Sequence, residues 1–163
     1  MVDIQTVSIA IASAGVFLAA VYYILQLRHQ SKLRQTDLVM KLYSEFGSKD
    51  ILEAYPKFFS LEFKDFNDFR DKYPRNAFMQ TPAWVSYHMN CMFYERVGIL
   101  LHRKLIDIKL VDDLFGRFIK NDWEKVKPIA EGIRKEETEK YYEWFEYLYN
   151  EMKKREQKGA SHG

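Results

Sequence analysis

Apolar residues are distributed along this chain in two regimes. From Ile4 to Leu27 the sequence reads IQTVSIAIASAGVFLAAVYYILQL, 24 residues without a charge and apolar on every side of a helix. At about 1.5 Å of rise per residue such a helix spans roughly 36 Å, enough to cross a hydrocarbon core of about 30 Å. Beyond Arg28 the apolar positions recur every three or four residues, and no alternating run is long enough for a sheet. The pattern predicts an all-α protein in which an N-terminal transmembrane helix continues into a cytosolic multi-helix bundle.

Local signals divide the second regime. Leu38, Val39, Leu42, Tyr43 and Phe46 carry helical spacing onward to Gly47, a residue that tolerates a left-handed cap. Residues 50–63 predict a short helix broken near Pro56, because proline lacks a donor and crowds the preceding turn. Asp65 caps a helix running to about Tyr73 and ended by Pro74, and Thr81 followed by Pro82 starts another that runs to about Lys104. Asp107 caps a helix to about Asn121, with Asp112 and Asp113 near its positive end. Pro128 predicts a kink or break between that helix and a further segment over 122–135. The charged stretch 134–140 (RKEETEK) reads as a solvated junction before a last helix at about 138–157. In domain terms these signals give an anchor at 4–27, a juxtamembrane helix at 28–47, a bundle at 48–157 and a disordered tail at 158–163.

Composition and charge then assign a location. The 163 residues suit one domain plus an appendage, and 47% hydrophobic with 29% charged residues excludes a disordered polar chain and a polytopic membrane protein. Asp3 is the only charge before the apolar run, whereas Arg28, Lys32 and Arg34 follow it directly. A cleaved signal peptide has the opposite arrangement, so the expectation is an uncleaved single-pass cell-membrane anchor, N-terminus outside and C-terminal domain cytoplasmic. Tyr22 and Tyr23 lie at the expected inner boundary, and Arg28, Lys32 and Arg34 are placed to meet anionic lipid, at about 1 kcal/mol for each basic group. Ser8, Ala12, Gly15 and Ala19 repeat at intervals of four, three and four, a stripe along which a second helix can approach. Small residues are also common in membrane helices that make no such contact.

Charge balance narrows the partners. With 25 Lys and Arg against 23 Asp and Glu, the chain lacks the basic excess of a nucleic-acid binder. The expected partners are the lipid bilayer and a protein partner or a second copy of the chain. Cys91 is the single cysteine, which rules out an intramolecular disulfide and a multi-cysteine zinc site.

Two stretches carry candidate chemistry. In YYEWFEYLY, residues 141–149, the side chains of Tyr141, Tyr142, Trp144, Phe145, Leu148 and Tyr149, continued by Met152, cover a broad helical arc that must bury against something. The chain's own core is the favoured occupant, with Tyr147 and Tyr149 as the candidate partner surface, and the interleaved glutamates repel phosphate. The second stretch is a polar stripe of His88, Cys91, Glu95 and His102 on the helix after Pro82. Imidazole, thiolate and carboxylate are metal-ligand types, yet residues seven apart lie roughly 10.5 Å apart along a helix, too far for all to bind one ion. Glu95 shares a face with Trp84, Met92 and Ile99, so it requires a partner such as Arg117, His102 or a backbone donor. No phosphate loop, zinc-protease pair, nucleophile elbow or calcium loop occurs, and no catalytic, cofactor or metal residue is assigned. The reading that results is a membrane-anchored cytosolic helical interaction or accessory module without a cofactor. A membrane-tethered enzyme or metal-dependent sensor using the polar stripe is the alternative, and an effector acting on the membrane itself is a third class.

FYERVG (Phe93 to Gly98), LIDIKLVDDLFG (Leu105 to Gly116), Trp123 and YYEWFEYLY, in that order, resemble the prokaryotic single-pass membrane proteins of the domain-of-unknown-function family numbered 4760. The resemblance covers the anchor and most of residues 80–150. It implies an all-helical cytosolic domain behind an N-terminal anchor and brings no assigned activity. Gly98 and Gly116 suit close helix crossing, and Phe115 and Trp123 suit packing anchors.

Overall fold

A computed structural model of the chain describes residues 3–160, and every described element is helical. Seven helices follow in order among the described residues: α1 (Ile4–Phe46), α2 (Lys49–Phe59), α3 (Phe66–Lys72), α4 (Arg75–Phe78), α5 (Pro82–His102), α6 (Ile108–Glu136) and α7 (Glu143–Ala160). The chain divides within α1 into two units, one ending at Asp37 and the other starting at Leu38. In the first unit, α1 is long and apolar enough to cross a membrane, and none of its apolar stretch is buried within the chain. The second unit is a bundle that takes in the last turns of α1 through the buried Val39, Leu42 and Phe46.

Capping follows the sequence signals closely. Side chains of Ser48, Asp65, Thr81 and Asp107 accept backbone N–H groups at the starts of α2, α3, α5 and α6. Gly47 follows α1 without adopting a positive φ, so the left-handed cap expected there is not used. Lys104, at φ 57°, takes that role after α5, where Leu105 N–H reaches back to the Leu100 carbonyl at 2.9 Å.

Three expected boundaries are corrected. Pro56 lies inside α2, and α6 runs unbroken through Pro128, so neither proline ends its helix. The carbonyls that lose their donors belong to Leu52 and Glu124, and both residues are exposed, which leaves water to satisfy them. The last helix starts at Glu143 rather than near 138, because Tyr142 sits at φ 54° and closes the preceding turn. Lys158 to Ala160 continue that helix, and residues 161–163 of the expected tail lie outside the described residues.

The core is aromatic. Trp123, Tyr87, Tyr94, Phe58, Phe93, Phe115 and Phe145 are all below 2% exposed. Phe46 stands among Phe93, Phe115 and Phe118 with ring centroids 5.1–5.6 Å away, tying the end of α1 to α5 and α6. Tyr94 stacks on Phe145 at 4.5 Å and Trp123 meets Phe145 edge-on at 5.0 Å, which places α7 against both long helices.

Candidate functional site

Glu95 is the hinge of the α5–α7 contact. Its Oε1 accepts the backbone N–H groups of Trp144 at 3.0 Å and Phe145 at 2.9 Å, so a side chain from α5 caps the start of α7. Burial raises the Glu95 carboxyl above its ordinary range, and these two backbone donors pull in the other direction. One turn later, a Cβ on Gly98 would stand 2.1 Å from the Trp144 carbonyl oxygen, so only glycine admits the α7 backbone here.

The remaining members of the polar stripe diverge. His88 is exposed and stacks on Trp84 with centroids 5.3 Å apart, while His102 is exposed and lies 4.6 Å from the Trp144 ring. Cys91 points the other way, into the core, fully buried beside Tyr87 and Tyr142. Burial pushes its thiol well above the ordinary range, which keeps it protonated and unreactive. Among the described residues no three His, Cys, Asp or Glu side chains come together as a metal-holding group. Met92 and Ile99, expected to bury Glu95, are exposed, and the α7 backbone does the burying instead. Arg117 is exposed, and His102 packs on rings, so the backbone donor is the partner that Glu95 takes.

The surface tyrosines separate in the same way. Tyr149 is buried against Trp123, which corrects its assignment to a partner surface, whereas Tyr147 is half-buried beside His102 and Trp144. On α1, Ser8, Ala12, Gly15 and Ala19 are exposed, with nothing within 4 Å of a Cβ built on Gly15, and Arg28, Lys32 and Arg34 are exposed as well.

The most unusual chemistry lies in the middle of the bundle. Asp122 of α6 is fully buried, and its two oxygens accept separate hydroxyls: Tyr55 of α2 donates at 2.8 Å and Tyr94 of α5 at 2.9 Å. Burial pushes this carboxyl up to about 7 despite both bonds. Lys125, one turn on, donates to the carbonyls of Phe59 at 3.0 Å and Leu61 at 2.7 Å, and so caps the C-terminal end of α2. Burial lowers the Lys125 ammonium from its ordinary range.

A cavity of about 300 Å³ opens elsewhere on the bundle, walled by Phe66, Phe69, Tyr73, Phe78, Trp84 and Tyr141. Two ion pairs stand at this cavity, Arg70 with Glu136 at 2.9 Å and Arg75 with Glu137. Phe66 reaches the wall by lying on Gly132, where a Cβ would meet its ring at 2.0 Å.

The sequence profile of a domain of unknown function, DUF4760, matches residues 9–152. The chain belongs to the DUF4760 family. No curated protein and no solved structure matches it. The features that carried the resemblance acquire definite jobs in this DUF4760 chain. Glu95 and Gly98 of FYERVG build the α5–α7 crossing. Gly116 of the D-L-F-G stretch leaves room for Asp112, whose Oδ1 would lie 2.2 Å from a Cβ there and whose Oδ2 accepts from Arg155 Nε at 2.8 Å. Phe115 and Trp123 fill the core on the same helix.

Asp122, Tyr55, Tyr94 and Lys125 escape sequence reading of the DUF4760 bundle for a physical reason. A helix broken before residue 122 makes Asp122 an ordinary terminal acid. Read as one helix through Pro128, Asp122 instead falls on the apolar stripe of Phe115, Ile119, Val126 and Ile129, and that position is the signal.

Proposed function

We propose that this DUF4760 protein is a membrane-anchored helical interaction module. The apolar part of α1 crosses the cell membrane once, with the N-terminus outside, and the bundle works in the cytoplasm, where it holds a protein partner or a second copy at the membrane surface. One observation carries the reading: the apolar stretch of α1 is long enough to span a bilayer and none of it is buried within the chain. Leaving so much apolar surface in water costs about 25 cal/mol per Å², so a covering phase is required, and lipid is the one matched to this length. The collar of Arg28, Lys32 and Arg34 supports the orientation. Glu95, Cys91 and His102 are engaged in holding helices together, which supports an interaction module over an enzyme built on the stripe.

Purification of the full-length protein from its native membrane in mild detergent, followed by mass spectrometry and sizing, tests the reading. A stoichiometric partner or a homodimer supports it. A monomer recovered alone overturns the interaction role while leaving the anchor standing.

A further inference from the structure

Asp122 is the single buried Asp, Glu, Lys or Arg among the described residues, and its surroundings do not neutralise it. The groups that face it are Tyr55 from α2, Tyr94 and, further off, Cys91 from α5, and Lys125 from its own helix. Against Tyr94, α7 presents Phe145 and α1 presents Phe46, neither of which titrates. Lys125 is the only cation in this set, and its ammonium is committed to the Phe59 and Leu61 carbonyls. An ionised carboxyl here accepts two neutral hydroxyls inside an aromatic shell and has no ion pair of its own, an arrangement that leaves part of the cost of burying a charge unrelieved.

Of the two tyrosines that close over this carboxyl, only the one from α2 reaches solvent. Tyr94 is completely buried, whereas Tyr55 is half-buried on a helix of 11 residues that also contains Pro56. Two adjacent grips from α6, Asp122 on Tyr55 and Lys125 on the carbonyls at its end, hold α2 in addition to its buried Ile51 and Phe58.

We propose that Asp122 is a proton-operated latch on α2: the neutral carboxyl keeps the helix docked, and the ionised carboxyl releases it locally so that water can reach the charge. The latch is independent of the anchor and of any partner. The state with the lower pKa gains as pH rises. The docked carboxyl is pushed up to about 7, whereas the hydrated one titrates near an ordinary aspartate, at about 3.9. The undocked population therefore rises by up to about tenfold per pH unit between those limits and levels off above the upper one. Ala54 and Lys57 of α2 share a groove of about 410 Å³ with Val85 and Met89 of α5, so the latch also sets the shape of that groove.

Hydrogen exchange of the full-length protein in detergent micelles, corrected for intrinsic rates, tests the latch. Protection of α2 amides is expected to fall about tenfold per unit from pH 5 to pH 7 and to level off above, with little dependence on added urea. Exchange of α2 in step with α5 and α6, at the same urea dependence, makes the opening global and overturns the latch, as does α2 protection independent of pH. In Asp122→Asn the pH slope is expected to vanish, and a surviving slope overturns the proposal. Tyr55→Phe removes one donor to the anion and is expected to move the plateau upward by about one pH unit or more, so an unmoved plateau counts against the latch even if the asparagine variant fails to fold.

Discussion

Gly98 of α5 and Trp144 of α7 meet backbone against side-chain space: a Cβ at position 98 would lie 2.1 Å from the Trp144 carbonyl oxygen and 2.7 Å from its carbonyl carbon. Backbone cannot swing away as a flexible side chain can, so the α5–α7 distance is set at this point. Gly98→Ala should lower stability by about 2–3 kcal/mol, read as a drop in the urea midpoint. Gly159→Ala in α7, with nothing within 4 Å, is the control and should not lower the midpoint.

Glu95 adds direction to that crossing by accepting two N–H groups at the start of α7. Glu95→Gln keeps an acceptor but loses the charge, and should cost about 0.5–1 kcal/mol. Glu95→Ala leaves both donors without their acceptor and should cost about 2 kcal/mol. Equal losses in the two variants would show that the cap makes no contribution beyond charge.

The buried carboxyl of Asp122 gives stability a pH dependence whose sign is fixed. Its docked value, up to about 7, lies above its ordinary one, so its contribution is fully present below the ordinary carboxyl range. That contribution is lost as pH rises toward the upper value and does not return. The wild type should therefore lose up to about 1.4 kcal/mol per pH unit relative to Asp122→Asn between pH 5 and pH 7 in urea titrations. Exposed carboxylates titrate in both proteins and cancel in that difference.

Cys91 is the single thiol in the chain and is fully buried, with burial raising its pKa. A thiol reagent such as DTNB should fail to react with the folded protein and should titrate one thiol per chain in denaturant. Rapid labelling of the native protein would show that the α5–α7 interface opens easily.

How much of this was legible beforehand depends on whether a residue acts within its own helix or across helices. Ser48 escaped notice as a cap, but Asp65, Thr81 and Asp107 cap where their local sequence says they should, because an N-cap needs only the next three residues. The long first helix and the all-helical class follow from periodicity in the same way. Pro56 and Pro128 misled because the cost of a proline depends on whether the carbonyl it orphans can find water, and the two carbonyls concerned belong to exposed residues. Sequence spacing placed Glu95 in a polar stripe, yet the α7 backbone that it caps lies 49 positions away, and no local rule brings the two together. Tyr149 lies on the helical arc expected to bury, and Trp123 of α6 covers it, so the core and not a partner takes that ring. The Tyr55–Asp122–Tyr94 group joins three helices, and only an unbroken α6 puts Asp122 on the face that meets both tyrosines.

The membrane anchor is the claim on which the proposed role depends, and alkaline carbonate extraction of membranes carrying the full-length chain tests it most directly. A spanning α1 keeps the protein in the membrane pellet after carbonate treatment, where peripheral proteins are released. Recovery of the protein in the carbonate supernatant would contradict the anchor and, with it, the placement of the bundle at the membrane surface.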